Sequence, residues 1–254
     1  MVTAVALNDL FNSGFGTLDL VKMSQKAENE FVGMNCGIMD QFAVGFGKKN
    51  NAIFLNCDTL SFENVPVILN DNALIITNTN KRRGLTDSKY NERRSECDEA
   101  VELLQAYKPI RNLSELNTGE IHLLEKYIKD PVVMRRANHV ISENGRVVEA
   151  LKVLKDNNIN RFGELMNQSH DSLKDNYEVT GFELDTLVYE GRRLQGVIGT
   201  RMTGAGFGGC TVSIVKKSDT SRYMNELSAI YESKTGLVPD FYLPEISDGA
   251  GRIS

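Results

Sequence analysis

Residues able to do chemistry gather in three stretches of this 254-residue chain. The first is Gly199–Val215, GTRMTGAGFGGCTVSIV, in which five glycines fall within eleven residues. Glycine is tolerated where φ is positive or where another group must approach the backbone closely. A loop of this kind running into a half-buried strand exposes several N–H donors that can converge on an anion. The strand pattern sets Cys210, Val212 and Ile214 on one side and Thr211 and Ser213 on the other. The GK[ST] ending of a P-loop is absent, since the loop closes in Gly208-Gly209-Cys210. A tight hairpin or a close helix–strand contact would use the same glycines, and spacing alone does not separate these readings.

The second stretch is Phe31–Phe46, where Asp40 sits among Ile38, Met39, Phe42, Ala43 and Val44. A carboxylate in an apolar setting must be capped, paired or functional, because burying an unpaired charge is costly. It could be a helix cap or first-turn acid, favoured by the dipole. It could equally be a general base or charge partner beside a substrate hydroxyl. The third stretch is the basic loop Asn80-Lys81-Arg82-Arg83-Gly84, with Tyr90 following in the first turn of a long helix. By default Tyr90 is a packing residue with its hydroxyl on water.

Bulk properties narrow the classes. The net charge of −5 argues against a nucleic-acid surface, which needs a concentrated basic face. Four scattered cysteines (Cys36, Cys57, Cys97, Cys210) and three scattered histidines form no zinc pattern, so no metal site is expected. They read as free thiols in a reducing compartment. No apolar run reaches the roughly 18–20 residues of a membrane span, and the N-terminus lacks a signal-peptide layout. The chain reads as cytoplasmic.

The elements that must position these residues alternate. Met1–Phe11 has helical apolar spacing but no cap or acidic first turn, as though cut rather than started. Leu18–Glu30 is a second helix, with Leu18, Val21 and Gln25 on one face. Ala52–Cys57, Phe62–Leu69 and Ala73–Thr79 read as strands, with a hairpin turn at Asp58–Ser61. The helix carrying Tyr90 has Cys97, Val101 and Leu104 on its stripe, with Glu92, Arg93, Arg94, Glu96 and Glu99 facing solvent. Leu113–Ile128 is expected helical. Pro131 opens another helix capped by Asp130, in which Gly145 weakens the expectation of an unbroken rod. Phe162–Leu173, Phe182–Leu194 and Tyr223–Ser233 are further helices, the last stopped by Gly236, and Leu237–Leu243 is a final strand. His170, between two of them, could be a ligand or base, although a lone histidine is more often packed or capping. The alternation implies an α/β or α+β protein of two layers, with its internal boundary at Asn70-Asp71-Asn72.

FVGMNCGIMDQF around Asp40, TNTNKRRGLTDSKYNERRSEC around Tyr90 and RMTGAGFGGCTVSIV around Gly204 resemble the galactokinase family of the GHMP small-molecule kinase superfamily. MNQSHDSLKDNYEVTGFELD and the terminal SDGAGRI also match, so the resemblance covers essentially the whole chain in order. GIMDQ together with RMTGAGFGGC is specific to that family. The resemblance implies an α+β, two-domain GHMP-kinase-like fold, with a remnant N-terminal domain at residues 1–69 and a complete two-layer C-terminal domain at residues 70–254. It implies ATP-dependent phosphorylation of the C1 hydroxyl of galactose, at a site between the domains. Asp40 matches the catalytic aspartate, as base or as electrostatic partner. Gly37 and Tyr90 match sugar-contacting positions. Gly204, Ala205, Gly206, Phe207 and Gly208 match the glycine loop near phosphates and sugar, and Arg82 sits where a basic side chain approaches the nucleotide.

The departures are at the start. The family's sugar-binding opening segment, its Gly/Ser-rich second motif with a magnesium-binding serine, and the arginine partner of Asp40 have no counterpart here. The chain therefore resembles a galactokinase lacking its N-terminal part, with Met1–Phe11 matching a helix interior. ATP and Mg2+ are the implied cofactors, with the family's metal motif missing. A chain so shortened is expected to be inactive or nearly so alone, and to expose apolar faces through which a homodimer could form. A non-catalytic sugar- or nucleotide-sensing relative is the alternative, against which the intact Asp40 counts. A superfamily kinase acting on mevalonate or homoserine is a third, disfavoured by GIMDQ.

Overall fold

The structure is a computed structural model and describes residues 1–33, 36–82 and 86–251. The chain divides into two compact units, Met1–Ile68 with the residues from Glu245 onward, and Leu69–Pro244.

In the first unit α1 (Val2–Leu10) is a helix, as its spacing predicts, yet it buries none of its residues. Its apolar stripe faces outward, with Val2, Leu10 and Phe11 largely exposed. α2 (Thr17–Lys26) begins where the Asp19 carboxylate accepts the Gly16 amide and continues into a wide turn, Ala27–Val32. Its Val21 packs with Ile38 and Phe42 of α3 (Met39–Phe46). β1 (Asn51–Leu55) and β2 (Phe62–Pro66) pair antiparallel. The turn between them is built by Asn56, whose side-chain oxygen accepts the amides of Asp58 and Thr59. A lone two-stranded hairpin is marginal in water. Here α3 supports it through Phe42, Phe46 and Phe62, whose ring centroids lie 4.5–5.2 Å apart. The sequence reading gave residues 245–254 to the second domain, whereas the described part of that segment, residues 245–251, belongs with the first unit. The amide of Asn50 donates to Ile246 O (3.1 Å), that of Gly249 to Gly47 O (2.9 Å) and that of Ala250 to Val44 O (2.7 Å). Gly249 admits this close approach because a side chain there would strike the Val44 carbonyl.

The second unit is built on a four-stranded sheet of order β4-β5-β3-β6, with every pair antiparallel, which settles α+β over α/β. β3 is Asn72–Asn78, β4 Val197–Thr203, β5 Cys210–Lys216 and β6 Asp240–Tyr242. β4 has no counterpart in the sequence reading. β5 is central rather than half-buried, so the expected division of its faces fails: Thr211, Ser213, Ile214 and Val215 are all buried. Ser213 is satisfied there by the hydroxyls of Thr200 (2.6 Å) and Tyr223 (2.9 Å).

α4 (Thr86–Leu104) packs on α6 (Pro131–Lys155) around Ala100, Leu104, Val133, Ala137 and Ile141. The expected helix over Leu113–Ile128 is broken into two 3-10 turns, Leu113–Glu115 and Thr118–Leu123, and the one-turn helix α5 (Leu124–Tyr127). Asn112 and Asn117 each accept backbone amides two residues on, which restarts the chain twice. α6 begins as predicted, with Asp130 Oδ1 accepting the amides of Val132 (2.7 Å) and Val133 (3.1 Å). It runs unbroken through Gly145, where a Cβ would lie 2.8 Å from Thr118 Cγ2. α7 (Ile159–Ser172), α8 (Phe182–Arg193) and α9 (Thr220–Thr235) complete the unit. Leu187, Tyr223, Leu227 and Tyr231 from α8 and α9 meet Ile75 and Val215 of the sheet.

Candidate functional site

The sequence-predicted residues fall into two groups, one in each unit. In the first, Gly37 and Asp40 flank Ile38 and Met39; Ile38 is buried and stands at the N-cap of α3. Cys36, just before Gly37, is tied to α2 and its wide turn. The amide of Cys36 donates to Asn29 Oδ1 (3.0 Å), and Gln25 Nε2 donates to Cys36 O (3.2 Å). Burial and the neighbouring Glu28 carboxylate push the Cys36 thiol up. Gly37 itself is open, with nothing within 4 Å of where a Cβ would stand. Asp40 lies in the first turn of α3 and is exposed. The apolar neighbours that made it look buried divide between the two sides of the helix: Ile38 and Phe42 turn inward, while Met39 is 59% exposed. Asp40 therefore holds the position of an exposed first-turn acid. Met34 and Asn35 of the same motif lie outside the described residues.

In the second unit the glycine stretch is at once a hairpin and a close helix–strand contact. β4 and β5 are joined by the loop 204–209. Gly204 (φ +82°), Gly206 (+84°), Phe207 (+56°), Gly208 (+124°) and Gly209 (+85°) all adopt left-handed backbone. A side chain at Gly206 would overlap the Val179 carbonyl oxygen, so only glycine lets the loop lie on that segment. The Phe207 amide donates to the same carbonyl at 2.8 Å. Among the described residues no acceptor engages the amides of Gly204, Ala205, Gly206 or Gly208. Phe207 is thus placed as the loop's anchor. On the strand side, Gly199 meets Gly163 of α7 backbone to backbone.

The end of β3 borders this loop. The amide and the hydroxyl of Thr79 both donate to Gly209 O (2.9 and 2.8 Å), and Gly208 passes beside the backbone of Lys81. The Lys81 ammonium is paired with Glu183 at 2.5 Å. Arg82, next along, is exposed. Arg83 and Gly84 of the predicted basic loop lie outside the described residues. Tyr90 is half-buried. Its neighbour Lys89 stands with its ammonium 5.3 Å from the centroid of the Phe207 ring, which brings the start of α4 to the glycine loop. Sequence reasoning missed Lys89, although its place between the basic loop and Tyr90 was available as a signal.

Beneath the loop runs a polar seam. His170 is buried; its Nδ1 accepts the Met202 amide (3.2 Å) and its Nε2 lies 3.3 Å from Asp185. It packs α7 against β4. The π-turn Leu173–Tyr177 leads to Glu178, itself left-handed at φ +57°. Glu178 faces Arg136 (2.5 Å), Arg135 (3.2 Å) and Arg93 (3.7 Å). The hydrogen-bonded Arg136 guanidinium holds its carboxyl below the usual range. Arg93 and Glu96, expected on the solvent face of α4, turn inward to this seam. Burial pushes His139 down to about 4. The four cysteines form no disulfide among the described residues, and no helix among the described residues is long and apolar enough to cross a membrane.

Comparison with known proteins agrees with this architecture. The GHMP kinases N terminal domain family matches residues 1–48, and the GHMP kinases C terminal family matches residues 148–232. The galactokinase of Clostridium acetobutylicum is 51% identical over all 254 residues, which span 65% of its length. A Lactococcus lactis galactokinase complexed with galactose superposes with a TM-score of 0.95 at 45% identity, covering 98% of this chain and 64% of that one. The mevalonate kinase of L. major in complex with R-mevalonate covers 97% of this chain and 63% of its own, at a TM-score of 0.58 and 15% identity; it shares the fold. The chain thus spans about two thirds of the length of the relatives it matches.

Proposed function

Because this chain belongs to the galactokinase family of GHMP kinases, we propose that it serves the ATP-dependent phosphorylation of the C1 hydroxyl of galactose. The observation that carries this reading is its likeness, along nearly its whole length, to a galactokinase complexed with galactose.

The chain's groups divide by chemistry. Asp40 takes the proton of the attacking sugar hydroxyl, or holds it electrostatically, as the bond from the sugar oxygen to phosphorus forms. The bond from that phosphorus to the leaving nucleotide oxygen breaks in the same transfer. The Gly37 backbone and Tyr90 contact the sugar. The amides of Gly204, Ala205, Gly206 and Gly208, with the cations of Arg82 and Lys89, face the phosphates, and Phe207 acts through its anchor and ring. Such a transfer asks mostly for positioning and for donors aimed at developing charge. ATP fits a loop in which these amides meet no acceptor among the described residues and which has cations beside it. Among the described residues no group of three His, Cys, Asp or Glu side chains could hold a metal. Magnesium would accompany the nucleotide as the counter-ion of its phosphates, and no step is assigned to it. A second copy of the chain is the partner proposed for the exposed Val2, Leu10, Phe11 and Phe31, a state that sedimentation at two concentrations reads directly.

The test is galactose-dependent ADP release. It is measured on this chain alone, and again with the part of the C. acetobutylicum galactokinase that the chain does not cover, supplied as a second polypeptide. Release in either mixture that is abolished by Asp40→Asn supports the reading. Galactose binding without release in either would favour the sensing alternative. Neither binding nor release would overturn both.

A further inference from the structure

We propose that Glu178 is a positioning residue for the glycine loop, holding its own backbone left-handed so that the Val179 carbonyl is aimed at the Phe207 amide. The proposal rests on the reading of residues 204–209 as the phosphate loop, and it concerns what gives that loop its shape.

The loop has no floor of its own. Its only committed amide among the described residues is that of Phe207, bound to Val179 O at 2.8 Å, and Gly206 rests on the same carbonyl. Where that oxygen points depends on the preceding residue. Glu178 has φ +57° and ψ +48°, a conformation in which a residue with a Cβ is disfavoured and which glycine or asparagine ordinarily fills. Strain of this kind persists only where the surroundings over-determine it. Here they do so from two helices. Arg136 of α6, only 1% exposed, donates to Asn176 O (2.6 Å) and to Glu178 Oε2 (2.5 Å), gripping the turn on both sides of Tyr177. Arg135 reaches Glu178 Oε1 at 3.2 Å, and Arg93 of α4 donates to Tyr177 O at 3.5 Å. Glu96 binds Arg93 and Arg136 together, at 3.0 and 2.7 Å. Charge-assisted contacts of this type are the stronger and more directional hydrogen bonds.

The clamp reaches further through Phe207. Its ring packs against the buried cluster of Leu173, Val179, Leu184 and Met202, and it carries Lys89 over its face. Displacing Val179 would move the loop's amides and the Lys89 ammonium together. Glu178 touches none of the groups assigned to substrate, so its effect on them is indirect.

The experiment compares Glu178→Ala and Glu178→Gly with the parent chain, reading amide hydrogen exchange by NMR and the affinity for MgATP by calorimetry. The loss of one hydrogen bond of ordinary net strength corresponds to about a tenfold change. Phe207 should therefore exchange about tenfold faster in E178A while the amides of β5 stay as in the parent. The MgATP dissociation constant should rise by a similar factor. E178G should fall between the two, because glycine adopts the left-handed turn without strain but loses the arginine ties. Unchanged exchange at Phe207 in both variants would overturn the proposal. So would equal acceleration at Phe207 and throughout β5, which is general loosening. If the parent binds no MgATP, the phosphate-loop reading fails, and the exchange rates still decide the role of Glu178.

Discussion

Replacing Gly163 by alanine sets helix propensity against packing, and the two predict opposite signs. Gly163 lies inside α7, where alanine is preferred over glycine by about 0.8–1.0 kcal/mol. Judged by local propensity, G163A should stabilise the protein. The structure says otherwise. A Cβ at Gly163 would overlap the Ile198 carbonyl oxygen and lie 2.7 Å from its carbon, while a Cβ on Gly199 opposite would lie 2.5 Å from Gly163 Cα. Most of these atoms are backbone and cannot rotate aside, so α7 must retreat from β4 by about 1 Å to restore ordinary contact. Retreat loosens the bonds from the Thr200 amide to Asn167 Oδ1 (3.0 Å) and from the Met202 amide to His170 Nδ1 (3.2 Å). Overpacking costs about 1–3 kcal/mol, and each weakened bond adds up to about 1 kcal/mol. After subtracting the propensity gain, the expected net loss is about 2 kcal/mol. In urea, with m of about 1–3 kcal/mol/M, the midpoint should fall by about 1 M at unchanged m. The double variant G163A/G199A should cost less than the sum of the two singles, since one retreat of the helix admits both methyl groups. A G163A midpoint at or above that of the parent would refute the close approach of α7 and β4 and the argument built on it.

Arg136→Met should destabilise by about 2–3 kcal/mol, because it takes the buried donor from Glu96 and Asn176 O, while Glu178, 46% exposed, can turn to solvent. Arg135→Ala, at a half-exposed pair, should cost no more than about 1 kcal/mol in the same denaturation assay. His139 is buried neutral, with its pKa lowered to about 4 from an unfolded value near 6.5. The unfolded chain therefore binds more protons between those values, and stability is lost as pH falls from about 6.5 toward 4, by at most about 1.4 kcal/mol per pH unit. His139→Gln should flatten that slope in urea midpoints taken across the window. Asp40→Asn should change the stability read from urea unfolding by no more than about 1 kcal/mol, the size of a first-turn charge contribution, while removing galactose-dependent ADP release. A large loss of stability would mean that Asp40 is a structural residue.

What could be read in the sequence is what carries its own local reason. The cap at Asp130, the helix stop at Gly236 and the turn at Asp58–Ser61 are short-range chemistry, and each stands where residue type placed it. The glycine loop belongs with them, since glycine density announces left-handed backbone before any neighbour is known. The failures share a different cause. Arg93 and Glu96 look like solvent-facing charges because amphipathic patterning cannot distinguish a solvated pair from one answered by arginines on another helix. Asp40 looked buried for the converse reason, because apolar neighbours in sequence need not share its side of the helix. Glu178 is the extreme case. Nothing in Tyr177-Glu178-Val179 signals a left-handed turn, and glutamate is a poor choice for one. The conformation exists because arginines some 40 and 80 residues away, on α6 and α4, converge on that carboxylate. The legible half of the site, the glycines, therefore takes its position from the illegible half. That dependence is why Glu178→Ala tests the site more sharply than another substitution within the loop.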